Sequence, residues 1–164
     1  MTMQEVILVN ESDQAIGSME KMEAHRKALL HRAFSVFIFN SKGEMLLQQR
    51  ADAKYHSAGL WTNACCSHPA PGEDLLFSAQ NRLREELGFS VHLEPAFSFT
   101  YRSEFANGLT EHEFDHVFIG SYNGDIKPNP EEVKDYAFRS MNEISALVES
   151  DPTLVTSWFL IAFP

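Results

Sequence analysis

The chain has 164 residues, 44% of them hydrophobic, which is enough for one domain with a real apolar core and little more. Its formal charge of −10 excludes the nucleic-acid binders, which need a basic face to release counterions from phosphate. No apolar run approaches the roughly 20 residues that span a bilayer, and the start Met-Thr-Met-Gln-Glu has no signal-peptide character, so a cytoplasmic protein without a membrane partner is expected.

In chain order, Glu5–Asn10 reads as a strand, followed by a turn at Glu11–Gln14, and Glu20–His25 reads as a short helical turn. Ala33–Asn40 is strongly strand-like, and Ser41-Lys42-Gly43-Glu44 turns the chain into Met45–Arg50, completing a hairpin. Residues 51–72 read as irregular, with Gly59, Pro69, Pro71 and Gly72 interrupting any pattern, yet they carry Trp61, Cys65, Cys66 and His68. Asp74–Leu87 is expected to be a helix, since Leu75, Ala79, Leu83 and Leu87 recur every four residues and Gly88 can stop it in a left-handed cap.

The second half alternates. Ala96–Ser103 sets Phe97, Phe99 and Tyr101 against Ser98, Thr100 and Arg102, and Glu111–Tyr122 is the next strand, with Glu111 and Glu113 on one face and His112 and Phe114 on the other. After a loop marked by Pro128 and Pro130, Tyr136–Arg139 is expected as a last strand. Ser140 and Glu143 then have capping-box spacing for a helix to about Ser150, and Thr153–Phe163 reads as helical with Trp158 in it. Mixed strands with a few helices give an α/β or α+β sandwich, one domain over residues 1–164.

Several groups carry chemistry. Two carboxylates one residue apart on a strand repel unless a cation lies between them, although a solvated strand edge is the commoner explanation of such a pair. His25, His31 and His68 joined to Glu111 and Glu113 would make an N₃O₂ donor set, suited to Mn²⁺, Zn²⁺ or Fe²⁺ rather than to Ca²⁺. Cys65 and Cys66 are neighbours, about 3.8 Å apart at Cα and too close for an ordinary disulfide, so both are expected as thiols. A thiol two residues from His68 in an irregular loop can act as a general acid or a nucleophile; the bland alternative is an inert buried cysteine, which fits Cys65 better than Cys66. Glu85-Glu86-Leu87-Gly88 shares the tail of the Nudix signature, in which helix glutamates hold Mg²⁺ against a diphosphate, but Asn81-Arg82 stands where that signature has Arg-Glu. By itself this stretch is also an ordinary solvated helix face with an Arg82–Glu86 pair.

Taken in order, Glu20-Lys21, His25, Leu30-His31-Arg32-Ala33-Phe34-Ser35, Trp61-Thr62-Asn63, Cys66-Ser67-His68-Pro69, Glu86-Leu87-Gly88, Tyr101-Arg102, Glu111-His112-Glu113 and Trp158 span nearly the whole chain. In this order the sequence resembles the type I isopentenyl diphosphate isomerases, a Nudix-fold family with a mixed central sheet flanked by helices. The resemblance implies an isomerase that interconverts isopentenyl and dimethylallyl diphosphate through a tertiary carbocation, for isoprenoid biosynthesis; the alternative is a Nudix-type diphosphate hydrolase. It implies His25, His31, His68, Glu111 and Glu113 as ligands of one Mn²⁺ or Zn²⁺, and Cys66 with Glu113 as the acid/base pair. It further implies Glu86 and the Cys66 carbonyl as the site of a substrate-bridging Mg²⁺, with Lys21, Arg50, Lys54, Ser67 and Arg82 on the diphosphate.

Tyr101 would hold the glutamate, and Trp158 would face the cation. The 13 phenylalanines suggest a dry pocket around it. A monomer is expected. The chain reaches Phe163-Pro164 soon after Trp158, where some members of the family carry an extended C-terminal helix.

Overall fold

Strand β3 (His31–Phe39) is where the rest of the molecule is assembled, because its run Phe34–Ile38 is apolar enough to be covered on both faces and is buried throughout. The computed structural model describes residues 4–52, 54, 57–105 and 107–163, so the expectations for the first three residues, for 53, 55 and 56 and for the last residue lie outside the described residues. Antiparallel neighbours of β3 are β1 (Glu5–Val9), β4 (Met45–Arg50) and β6 (Cys65–Ser67), while β8 (Thr110–Ser121) runs parallel to it over nine paired residues, from His31 opposite Glu113 to Phe39 opposite Ser121. The sheet is extended by β2 (Ala15–Glu20) on β1, β5 (Trp61–Thr62) and β9 (Val133–Arg139) on β4, and β7 (Glu94–Glu104) on β8. The expected mixed central sheet with flanking helices is what forms.

Helix α2 (Leu75–Leu87) starts at Asp74, whose carboxylate accepts from the Phe77 amide at 3.0 Å, and stops at Gly88, which has φ of 78°. That glycine is required: a Cβ there would lie 2.8 Å from the Lys127 carbonyl oxygen. Ala79, Leu83 and Leu87 pack on Phe34, Val36 and Ile38, the even-numbered residues of β3, and Cys65 joins them. The odd face of β3 packs differently: Phe37 meets Met45, Leu47, Val117, Ile144 and Phe159, the last two from α3 (Met141–Ser150) and α4 (Ser157–Ala162). Ser140 and Glu143 form the expected capping box at the start of α3. Among the described residues no helix is long and apolar enough to cross a membrane.

Two expectations need correction, and one strand lies where none was expected. Residues 61–62 and 65–67 of the segment read as irregular are short strands, held by pairing with β4 and β3 rather than by any pattern of their own. Ala15–Glu20 is a strand that the sequence does not announce, since an exposed edge strand containing Gly17 has no apolar alternation to show. The C-terminal helical stretch is broken into a 3₁₀ turn at Pro152–Leu154 and α4, because Val155 bridges to Trp61 and the Thr156 amide donates to the Trp61 carbonyl at 3.0 Å. The short helix expected from Glu20 is α1 (Lys21–Arg26), capped by the Glu20 carboxylate.

Candidate active site

Strand registers bring the chemistry together. On β8, period-two alternation turns Glu111, Glu113 and Asp115 to one face, all buried, while His112 and His116 face away, toward the Ala28 carbonyl and Asp13 respectively. The parallel pairing sets His31 beside Glu113, and the antiparallel pairing with β7 sets Tyr101 on the other side of Glu113. His25 arrives from α1 and His68 from just beyond β6.

The result is a compact donor set. The three imidazole centroids are 4.9–5.8 Å apart, and ligating atoms of His25, His31, His68 and Glu113 all lie within 4.8 Å of one another. Glu111 stands alongside, its Oε2 3.7 Å from His25 Nε2. His25 Nδ1 is 2.7 Å from the Lys21 carbonyl and His31 Nδ1 is 2.9 Å from that of Leu29; both must donate to these oxygens, which leaves each Nε2 lone pair facing the carboxylates. Burial pulls His68 down to about 4, keeping it neutral, and burial would do the same to His31 had Glu113 not raised it. Glu113 itself is held well below the carboxylate range: burial opposes this, but His68 and His31 outweigh it. Three imidazole nitrogens converging on buried carboxylates, with His68 Nε2 2.6 Å and His31 Nε2 3.3 Å from Glu113 Oε2, are the donor set that a transition-type divalent cation takes, so the residues fit such an ion.

The Tyr101 hydroxyl lies 2.7 Å from both Glu111 Oε1 and Glu113 Oε1. With one proton the hydroxyl donates to one of them at a time. Tyr101 therefore locks the two acids to each other and to β7.

Facing this wall across one cavity are Cys66, Trp158 and Arg50, with Ser67, His68, Tyr101, Glu111, Glu113 and Asp115 completing the lining. Cys66 points into it because Cys65 and Cys66 are consecutive on β6. Cys65 is fully buried on the α2 side with its sulfur 3.6 Å from Glu86 Oε2, which assigns it to the core and leaves Cys66 alone on the cavity side. Burial raises both thiols. Trp158, 3% exposed, donates Nε1–H to Cys66 Sγ at 3.1 Å, and the Arg50 guanidinium lies 5.4 Å from its ring centre. No phenylalanine lines this cavity. The buried ones, Phe34, Phe37, Phe89, Phe118 and Phe159, went to the two cores, so the apolar wall is the indole and the tyrosine ring.

On the other side of β6, Arg82 and Lys54 meet at Glu132. Arg82 Nη2 is 2.8 Å from Glu132 Oε2, and Lys54 Nζ is bonded to the same oxygen. Lys21 belongs to this group as well: burial, then the positive charges of Lys54 and Arg82, pull its ammonium below the usual lysine range. Of the five residues expected on a diphosphate, three thus converge here, while Arg50 faces the Cys66 cavity. Ser67, with His68, lines both that cavity and the cleft beside Arg82, linking the two. Glu86 is buried, bonded to Arg82 Nε at 2.6 Å and Gln48 Nε2 at 2.9 Å. Asp115 and Glu132 were not singled out from the sequence. The two-residue step from Glu113 to Asp115 is the signal that points to the first, and nothing local points to the second.

A NUDIX domain model matches residues 29–159. The isopentenyl-diphosphate Delta-isomerase of Pectobacterium atrosepticum is 50% identical over 163 residues, 99% of this chain and 91% of that protein. The chain belongs to the isopentenyl-diphosphate Delta-isomerase family. The enzyme of that name from Serratia proteamaculans is similar at 49% identity over 155 residues, 94% of this chain and 87% of the other.

Among solved structures, a Deinococcus radiodurans protein superposes with a TM-score of 0.76 at 20% identity, covering 90% of both chains, and the MutT protein of Methanosarcina mazei with 0.65 at 22%, covering 82% and 90%. At such identities the likeness is one of fold. On α2 of this chain, Arg82 holds both Glu85, at 3.0 Å, and Glu86, at 2.6 Å.

Proposed function

We propose that this chain interconverts isopentenyl diphosphate and dimethylallyl diphosphate, adding a proton to the terminal alkene carbon and removing one from the carbon on the far side of the resulting tertiary cation. The observation that carries the reading is a single cavity in which the thiol of Cys66, beside the buried indole of Trp158, faces the carboxyl of Glu113. An unactivated alkene is a poor base, so the site must present a strong acid on one face and a base on the other. Cys66 and Glu113 take these two roles; the electrons of the broken C–H bond form the new double bond. Tyr101 steadies the carboxyl through its 2.7 Å contact.

The indole face meets the cation, a contact worth about 2 kcal/mol when desolvated, and its N–H bond to Cys66 fixes its tilt. Exclusion of water by Tyr101 and Trp158 keeps the cation from being trapped as an alcohol.

His25, His31, His68, Glu111 and Glu113 would hold one Mn²⁺ or Zn²⁺, which when bound makes the Glu113 carboxyl a stronger acid. Glu86 with the Cys66 carbonyl would hold Mg²⁺, which offsets diphosphate charge. Lys21, Lys54 and Arg82 take diphosphate oxygens, aided by Ser67, with Arg50 at the inner end. The working form is a monomer, one domain over 1–164, in the cytoplasm; a formal charge of −10 supports a small anion bound at one local cationic patch rather than a nucleic acid.

The test is incubation with isopentenyl diphosphate, Mg²⁺ and Mn²⁺ in D₂O, followed by proton NMR. Dimethylallyl diphosphate with deuterium in a methyl group is expected. Unchanged substrate with folded, metal-replete protein refutes the reading, and release of phosphate from nucleoside diphosphates would favour hydrolysis. Cys66→Ala and Glu113→Gln should each abolish turnover with the fold intact.

A further inference from the structure

Asp115 is the one carboxylate of the cavity wall to which no role has been given. It is 2% exposed and shares the face of β8 with Glu113. Its Oδ2 accepts a hydrogen bond from Ser35 Oγ at 2.8 Å, while its Oδ1, also buried, has no hydrogen-bond partner among the described residues. Ser35, 1% exposed, is paired with Cys66 across the β3–β6 ladder, and its Oγ lies 3.7 Å from Cys66 Sγ. These contacts form a line from Asp115 through Ser35 to the sulfur.

The other neighbours of that sulfur are rigid. Asn63 presents its Oδ1 at 3.2 Å and cannot turn over, because its Nδ2 donates to the Val36 and Cys65 carbonyls, both at 2.9 Å, and its Oδ1 also accepts from Thr62. Trp158 Nε1 can only donate. Among the described residues that hydrogen-bond the sulfur, Ser35 alone can turn either its proton or a lone pair to it, and its one proton cannot serve Asp115 and Cys66 together. Asp115 therefore decides what Ser35 shows to the thiol.

We propose that Ser35 and Asp115 are positioning residues for Cys66, holding its sulfur on the cavity side and orienting its S–H bond for proton exchange with the substrate. The proposal rests on the reading of Cys66 as one of the two proton-transferring groups. A buried Asp–Ser pair that merely stabilised the sheet would leave the thiol's behaviour unchanged once the protein had folded.

The experiment compares the full-length wild type, Ser35→Ala, Ser35→Thr, Asp115→Asn and the Ser35→Ala/Asp115→Asn double variant. Steady-state kcat and KM for isopentenyl diphosphate are measured, together with the rate of Cys66 alkylation by iodoacetamide. Loss of one hydrogen bond to the sulfur should lower kcat about tenfold in Ser35→Ala with KM within about twofold. Ser35→Thr, which keeps the hydroxyl, should restore it.

Asp115→Asn should lower kcat in the wild-type background but add little in the Ser35→Ala background, since its influence passes through Ser35. A normal kcat in Ser35→Ala, or an Asp115→Asn effect of equal size in both backgrounds, overturns the proposal. Should Ser35→Ala fail to fold, the isosteric Asp115→Asn decides: its alkylation rate must differ from wild type, and an unchanged rate overturns the idea. Alkylation is read without turnover, so an inactive wild type would sink the proposed function while leaving the seat of Cys66 testable.

Discussion

Glu132→Gln tests whether the cationic cluster is pre-assembled around an internal stand-in for the substrate. Glu132 holds Lys54 and Arg82 in the free chain, with side chains 24%, 18% and 26% exposed. At that exposure each charge-assisted contact is worth about 1 kcal/mol, so a diphosphate that takes over both cations must offset about 2 kcal/mol. Replacing the carboxylate by an amide removes most of that cost, and KM for isopentenyl diphosphate should fall by up to about 30-fold with kcat little changed. Inhibition by inorganic pyrophosphate should tighten in parallel, which separates diphosphate binding from chemistry. An unchanged or raised KM refutes the reasoning and makes Glu132 an organiser of the cluster instead.

The same variant has a pH signature. Burial alone would raise the Glu132 carboxyl, but Lys54 and Arg82 outweigh it and hold it below its ordinary value. A lowered native value means that the ion pairs add stability above the ordinary carboxylate range and lose it as the pH falls through the native value. Thermal unfolding should therefore show the variant less stable than wild type at pH 7, with the gap closing in acid.

Tyr101→Phe removes the hydroxyl that lies 2.7 Å from each of two buried carboxylates, and should cost about 2 kcal/mol of transition-state stabilisation, a fall of about 30-fold in kcat, in the same isomerase assay; a near-normal kcat rules out its role as clamp. Trp158→Phe keeps an aromatic face but loses the donor to Cys66 at 3.1 Å, so it should retain more activity than Trp158→Ala while both alter the rate of Cys66 alkylation; equal activities would mean that the ring face contributes nothing. Gly88→Ala forces a Cβ into a φ of 78° and against the Lys127 carbonyl at 2.8 Å, which should lower stability by about 2 kcal/mol and Tm by about 5 °C without touching the chemistry; an unchanged Tm would contradict the close approach.

What the sequence determines here is whatever has a local period. Alternation on β8 puts Glu111 and Glu113 on one face, a four-residue recurrence writes α2, and the same alternation applied one step further would have named Asp115. Glycine and serine chemistry marks the ends, at Gly88 and at the Ser140 capping box. The ordered residues from Glu20 to Trp158 also carry the resemblance to the family to which the chain belongs.

Tertiary structure decided the partners. Nothing in the chain states that β8 pairs in parallel with β3, in the register that sets His31 beside Glu113, or that a thiol from β6 lies opposite a serine of β3. It alone decided that the buried phenylalanines fill the cores instead of the cavity, and that Glu132 occupies the cationic cluster. The reason is physical: a local pattern fixes which face a side chain takes, but register is set by the summed burial of strands distant in sequence, and a one-residue slip of β8 would carry Glu111 and Glu113 to the wrong side of the sheet.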